Sequence, residues 1–298
     1  MPCRGAWDRL DLYHGPNFKM HTTGRSGGIV TIHDLWLARH PEYSRKLLGQ
    51  AGSSRRAIAT ANRARRVVTV SEFSAREIEA LYGIPRERVV VIHNGVTEEF
   101  SPVQDEQGMA VLRARWAIPS AGFILFVGGA DPRKNHRVFL QAVAQSRSQL
   151  GGRAILLVGD AEHPQGSYLA TARSLGLEQD VRCTGRLNRE DLCRLYSYAE
   201  VFVFPSLYEG FGMPVLEAMA CGAPTITSST SSLPEVAGDA ALLVNPEDAE
   251  ALGAAMVKVL SKQALRQQLR DRGFERARLV TWQRAALRTS ALYRELCA

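Results

Sequence analysis

Leu207-Tyr-Glu-Gly-Phe-Gly-Met-Pro-Val-Leu-Glu-Ala-Met-Ala-Cys-Gly222 is the stretch on which the reading of the chain turns. Just before it, Val201-Phe-Val-Phe204 is a short apolar run stopped by Pro205, the pattern of a buried parallel strand. Pro214 suits a first helical turn, where its fixed φ fits and its missing N–H is not needed. Gly222 suits a helix end, where φ is often positive. The segment therefore reads as strand, glycine loop and short helix. Such a unit aims backbone N–H groups and a positive dipole end at one spot, which holds a diphosphate. Glu209 lies in the loop and Glu217 in the helix. Carboxylates repel phosphate, but each accepts up to about four hydrogen bonds and so suits sugar hydroxyls. Phosphate-binding amides beside hydroxyl-seeking acids point to a nucleotide-sugar site.

The same alternation extends in both directions. Upstream, Leu10–His14, Gly28–Ile32, Val67–Val70 and Val89–Ile92 read as strands. Ser71 is a helix cap for a segment through Tyr82, which Gly83 stops. Residues 41–66 read as mostly helical and strongly basic, with Arg45, Lys46, Arg55, Arg56, Arg63, Arg65 and Arg66 opposed by Glu42 alone. Val96–Pro102 reads as a linker. A second series follows, with strands at Phe123–Val127, Ala154–Val158, Val181–Thr184, Val201–Phe204, Thr225–Thr227 and Ala241–Val244. Between them lie helices at about Asn135–Ser148, Tyr168–Leu175 and from an Asn188 cap to Ala199, then Leu252–Leu260, Leu265–Arg278 and Trp282–Leu296. Strands alternating with helices imply parallel, doubly wound α/β sheets. Two such series imply two Rossmann-like lobes.

Composition limits the class. The 298 residues are 45% hydrophobic and 22% charged, as in a globular chain of one or two domains. The net charge of +7 comes from 32 Arg and 5 Lys against 30 acids. The arginine excess hints at an anionic partner, with genomic base composition as the alternative explanation, and no nucleic-acid partner is expected. The five cysteines, Cys3, Cys183, Cys193, Cys221 and Cys297, have neither disulfide-framework nor metal-type spacing, which fits buried thiols in a reducing cytoplasm. No apolar run approaches the roughly 18 residues of a membrane span. No Asp-x-Asp occurs, so no carboxylate clamp for a divalent ion on a diphosphate is expected, and no metal.

The chain resembles the retaining glycosyltransferases of family 4, which have the two-lobed GT-B fold. The resemblance is carried by Val30-Thr-Ile-His-Asp-Leu35, Val70-Ser-Glu-Phe-Ser74, His93-Asn-Gly-Val96, Phe126-Val-Gly128 with Pro132-Arg-Lys-Asn135, Glu209-Gly-Phe-Gly212 with Glu217-Ala-Met-Ala-Cys-Gly222, and Ser232–Ala241. It implies an α/β GT-B fold with three parts. Residues 1–97 form an acceptor-side lobe, residues 98–278 a nucleotide-sugar lobe, and residues 279–298 a helix packing back toward the first lobe. Only about 95 residues precede the linker, fewer than a doubly wound lobe usually needs. The N-terminal lobe is therefore expected to be incomplete, without the first strands and the glycine loop that closes over the donor in the family. Many members also carry Arg where this chain has Gly129.

The resemblance implies roles residue by residue. Lys134, with Gly128 and Gly129, faces the diphosphate; Arg133 either shares that role or is a structural or solvent-facing residue. Glu217 holds the ribose, and Gly185-Arg186-Leu187 borders the base, a bare surface turn being the alternative. Glu209, with the amides of Phe211 and Gly212, contacts the 3- and 4-hydroxyls of the transferred sugar, and His33 lies near the reacting carbon. Lys134, Glu209 and His33 are the catalytic candidates. The activity implied is metal-independent, retaining hexosyl transfer from a nucleotide sugar to a glycan or lipid-linked acceptor. GDP-mannose is the donor of the mannosyltransferase-like members. The Arg45–Arg66 stretch is a candidate contact with anionic lipid at the inner face of a membrane, and a solvated helix face is the alternative. Two other readings stand beside this one. A truncated, catalytically silent sugar-nucleotide-binding protein shares the motifs. A dinucleotide-dependent oxidoreductase is disfavoured, because Gly128-Gly-Ala-Asp131 is no G-x-G-x-x-G fingerprint.

Overall fold

The computed structural model describes residues 10–20, 28–40, 50–164 and 166–298. The chain divides into two compact units. The first comprises Met1–Gly95, Glu209–Phe211 and Trp282–Ala298, and the second Val96–Tyr208 and Gly212–Thr281.

The first unit is built on a parallel sheet in the order β1 (Tyr13–Gly15), β2 (Gly28–Ile32), β3 (Arg66–Thr69) and β4 (Val89–Val91). Successive side chains of a strand face opposite sides, and both sides are covered. Val30, Ile32 and Val67 pack with Ala57 and Ala61 of the helix Gln50–Arg63 and Ile78 of the helix Glu72–Tyr82. Ile29, Val68 and Ile92 pack with Ala285, Leu292 and Leu296 of the last helix, Trp282–Cys297. Arg65 donates to the Leu296 carbonyl at 2.7 Å, tying that helix to the start of β3. The helix Glu72–Tyr82 begins at Ser71, whose hydroxyl accepts from the Ser74 N–H, and ends at Gly83 with φ of 65°. β1 starts three residues later than the apolar pattern places it. Arg45 and Lys46 of the basic stretch lie outside the described residues.

The second unit holds a six-stranded parallel sheet. Its strands are β5 (Phe123–Val127), β6 (Ala154–Val158), β9 (Val181–Gly185), β10 (Val201–Phe204), β11 (Thr225–Ser228) and β12 (Ala241–Val244). A two-stranded hairpin, β7 (Glu162–His163) with β8 (Gly166–Ser167), interrupts the series. The sheet order is β12-β11-β10-β5-β6-β9. The chain runs outward from β5 to β6 and β9, then returns to the other side of β5 and runs outward through β10, β11 and β12. This is the doubly wound Rossmann order, and its reversal lies between β5 and β10. Loops leaving the carboxyl ends of those two strands therefore diverge around a crevice. One is Gly128–Asn135 and the other is Pro205–Gly212.

Two local features depart from the pattern reading. Residues Pro132–Lys134 form a 3₁₀ turn, Asn135 takes a left-handed φ of 59°, and the helix starts only at His136. A helix at Glu106–Arg115 follows the segment read as linker. It buries only Met109 and Leu112, so it carries little amphipathic signal. The linker itself begins tied down: the Val96 N–H donates to the Val280 carbonyl at 3.1 Å.

Candidate functional site

The two loops at the strand-order reversal of the second unit are bolted together through backbone groups. The Arg133 carbonyl accepts from the Leu207 N–H at 2.8 Å and from the Ser206 hydroxyl at 2.9 Å. Asn135 is buried, and its side-chain amide donates to the carbonyls of Pro205 at 3.1 Å and Pro246 at 2.6 Å. Ser228 donates to the Ser206 carbonyl at 2.6 Å. The left-handed backbone at Asn135 is what turns its amide toward these carbonyls, and asparagine tolerates it better than most residues.

Within that frame the predicted cations take definite places. The Lys134 ammonium stands over the ring of fully buried Phe204, 5.1 Å from its centroid. A cation above an aromatic face gains electrostatic attraction from the ring. Arg133 forks onto the Asp131 carboxylate at 2.9 and 3.1 Å, and Asp131 also accepts the Arg133 N–H at 2.9 Å. These bonds, with the neighbouring positive charges, outweigh desolvation and hold the Asp131 pKa below its ordinary value. Arg133 is thus a brace of the turn that presents Lys134.

The glycines at the strand tips divide by function. The Gly128 N–H is committed to the Val158 carbonyl at 2.8 Å, and its own carbonyl accepts from the Tyr168 phenol. A Cβ on Gly159 would stand 2.4 Å from the Gly128 oxygen, so two backbones touch there and only glycine fits. Gly129 differs, since a Cβ there meets nothing nearer than the Asp160 carbonyl at 3.8 Å. On the outer side Arg186 is paired with Asp160 through bonds of 2.5–3.0 Å, leaving Leu187 half-buried beside it.

Glu217 projects from the helix Met213–Ala220, which Gly212 opens with a φ of 104° and Pro214 enters in its first turn. Its carboxylate accepts from the Tyr196 phenol at 3.3 Å. Burial pushes its pKa up, against the lowering effects of that hydrogen bond and of Arg189. Two buried thiols, Cys193 and Cys221, lie in hydrogen-bond contact nearby.

Glu209, Phe211 and His33 belong to the first unit. Ser71 donates to the Gly210 carbonyl at 2.7 Å and Ser74 approaches the same oxygen at 3.3 Å. A Cβ on Gly210 would fall 2.1 Å from the His33 carbonyl, so the loop carrying Glu209 lies flat against that backbone. Phe211 is buried with its ring 5.7 Å from that of His93. His33 places its Nε2 2.9 Å from the Pro16 carbonyl. A carbonyl can only accept, so Nε2 carries a proton.

The structure thus groups Lys134, Arg133, Gly128 and Gly129 on one turn of the second unit, with Glu217 and Gly212 on a helix and Arg186 with Leu187 beyond β9. It groups His33, Glu209 and Phe211 in the first unit. Sequence reading took Ser71 only as a cap and left Asn135, Tyr196, Ser206 and Ser228 without a role. Ser71, Ser74 and Asn135 stand inside the quoted motifs, a signal that could have marked them. Among the described residues no group of three or more His, Cys, Asp or Glu side chains could hold a metal ion. No described helix is long and apolar enough to cross a membrane.

Residues 111–276 match the family Glycosyl transferases group 1, and residues 4–100 match Glycosyltransferase Family 4. The O-antigen chain mannosyltransferase B of Escherichia coli is 32% identical over 99% of this chain and 78% of its own length. The chain belongs to the group 1 glycosyltransferases. Another relative of this glycosyltransferase is the MMP alpha-(1->4)-mannosyltransferase of Mycolicibacterium hassiacum, 34% identical over 78% of this chain and 54% of that protein. The chain spans 28% of the length of the E. coli serotype-specific mannosyltransferase WbdA. Among solved structures, the sucrose-phosphate synthase of Thermosynechococcus elongatus superposes with a TM-score of 0.77 and 27% identity, covering 96% of this chain and 73% of that one. HepE of Anabaena in complex with UDP and glucose superposes with a TM-score of 0.80 at 20% identity, covering 97% and 79%. The fold of the glycosyltransferase is GT-B with two Rossmann-like lobes, in agreement with the motifs. Nothing in these relationships favours a dinucleotide oxidoreductase.

Proposed function

We propose that this glycosyltransferase is a retaining hexosyltransferase that uses a nucleoside diphosphate sugar, GDP-mannose by its likeness to mannosyltransferases, to extend a glycan or lipid-linked acceptor. The observation that carries the reading is the pair of interlocked loops at the strand-order reversal, with Arg133 bonded to Leu207 and Ser206. Interlocking fixes the Lys134 turn relative to the strand end before any ligand arrives. Preorganised cations and amides stabilise charge on a leaving diphosphate without reorganising as it develops.

In this reading Lys134 neutralises the departing phosphate and the N-terminus of the helix Met213–Ala220 shares that charge. Glu217 accepts the ribose hydroxyls. Glu209 takes the hydroxyls of the transferred sugar, with the amides of Phe211 and Gly212 beside it. His33 serves the transferred sugar near the reacting carbon. The new bond forms on the face the diphosphate leaves, and a leaving-phosphate oxygen receives the acceptor's proton. No divalent ion is required. The basic stretch Arg45–Arg66 would hold the protein at an anionic cytoplasmic membrane surface, where a lipid-linked acceptor is presented.

Thermal-shift titration with GDP, UDP, ADP and NAD tests the donor. GDP is expected to stabilise most, and stabilisation by NAD alone defeats the reading. Glu217→Ala is expected to weaken nucleotide binding about 10-fold, the usual cost of a charged hydrogen bond, whereas Glu209→Ala lowers turnover with binding retained. Undiminished turnover in both variants removes the residue assignments. A chain that binds GDP-mannose but neither hydrolyses nor transfers it is a silent binding protein.

A further inference from the structure

The assignment of Glu217 to the ribose leaves open what aims its carboxylate. Glu217 lies within the helix Met213–Ala220, and a glutamate there has several rotamers open to it. Among the described residues its one hydrogen-bond partner is Tyr196, whose phenol reaches Oε2 at 3.3 Å. Tyr196 is fully buried, so it cannot turn away to water. Its ring meets Phe202 edge-on at 5.3 Å and 86°, and Phe100 at 6.3 Å and 65°. Phe202 belongs to β10, the strand whose loop interlocks with the Lys134 turn. The phenol is therefore a donor held in place by its aromatic neighbours, facing the Glu217 carboxylate.

We propose that Tyr196 is a positioning residue for donor recognition, pinning one oxygen of Glu217 so that the other faces the ribose diol. The inference rests on the ribose reading of Glu217. A phenol is suited to the task because it supplies one donor and no charge. It takes one acceptor site on Oε2 and leaves the remaining lone pairs for the two ribose hydroxyls. The same bond favours the ionised carboxylate, which is the form able to accept from both hydroxyls. Burial opposes ionisation, and Tyr196 and Arg189 counter it. The other titratable groups facing this carboxylate are Cys193, on the helix that carries Tyr196, and Cys221, just beyond the helix of Glu217. Neither thiol supplies a positive charge, so Tyr196 and Arg189 alone favour the anion here.

Calorimetric titration of the full chain with GDP and with 2′,3′-dideoxy-GDP, and with the two uridine equivalents, separates positioning from packing. Tyr196→Phe keeps the ring and its aromatic contacts and removes only the hydroxyl. GDP binding is expected to weaken about 5–10-fold, the scale of one lost hydrogen bond, while dideoxy-GDP binding stays unchanged. The acid limb of GDP binding should move to higher pH, since Glu217 loses a bond that favours its anion. In a Glu217→Ala background, which leaves the phenol no acceptor at this position, Tyr196→Phe should add no further loss. Equal weakening of both nucleotides, or full GDP affinity in Tyr196→Phe while Glu217→Gln loses it, overturns the positioning role and leaves the ribose reading standing. A wild-type chain that does not distinguish either diphosphate from its dideoxy form defeats the ribose reading itself.

Discussion

Gly129 and Lys134 share one turn, yet they present opposite opportunities to substitution. Lys134 is held over Phe204, and the open side of the same turn is at Gly129, where a Cβ has 3.8 Å of clearance. A Cβ at this position, where many family members carry Arg, therefore meets no clash. Gly129→Arg is expected to fold normally and to tighten nucleoside diphosphate binding by about 3–10-fold through an added charge-assisted contact. Calorimetry with GDP reads this directly, and an unchanged affinity would separate Gly129 from the diphosphate. The two acids, the lysine and the glycine loop were legible because each chemical type stands at a fixed distance from a strand end. Tyr196 was not, because its partner Glu217 lies 21 residues away and no local pattern links them.

At the scale of elements, the strands were the most legible part. Buried parallel strands are short apolar runs, and Gly28–Ile32, Phe123–Val127, Ala154–Val158, Val201–Phe204 and Ala241–Val244 begin and end where the runs do. Connections were less legible, because they are fixed by side chains that meet only after folding. Asn135 bonds to Pro205 and Pro246, 70 and 111 residues away, and Ser71 bonds to Gly210, 139 residues away. The 3₁₀ turn at Pro132–Lys134 exists because Asn135 must leave helical geometry to reach those two carbonyls. Asn135→Ala leaves two buried carbonyls unpaired and strains the left-handed residue, so a loss of about 2–4 kcal/mol in unfolding free energy is expected. Asn135→Gly relieves the backbone but not the carbonyls. It should recover only part of the loss in urea denaturation, whereas full recovery would assign the cost to backbone strain alone.

Across the whole molecule, acid sensitivity follows from one buried imidazole. His136 opens the helix His136–Ser146 under the edge of Tyr168, and burial, with His163 adding to it, lowers its pKa from 6.5 to about 4. Between those values the unfolded chain binds a proton that the folded one refuses. Stability is therefore full above pH 6.5 and falls as pH drops toward 4, by up to about 1.4 kcal/mol per pH unit. Burial of His14 acts in the same direction. Urea unfolding from pH 7.5 to 4 should show this slope, and His136→Gln should flatten it. A slope unaltered by the substitution assigns the acid sensitivity to other groups.

The first unit draws its covering helix, Trp282–Cys297, from the far end of the chain, and that helix supplies Ala285, Leu292 and Leu296 to the cluster around Ile29, Val68 and Ile92. This sets a timetable for biosynthesis. β2 and β3 leave the ribosome well before the helix Trp282–Cys297 is made, an interval of roughly 10–40 s at ordinary translation rates. Through that interval one apolar face of β2 and β3 has no lid and is a natural client for a holding chaperone. A chain ended at Thr281 prolongs the wait indefinitely, and is expected to bind a hydrophobic dye strongly and aggregate, while the helix Trp282–Cys297 added as a separate peptide suppresses both.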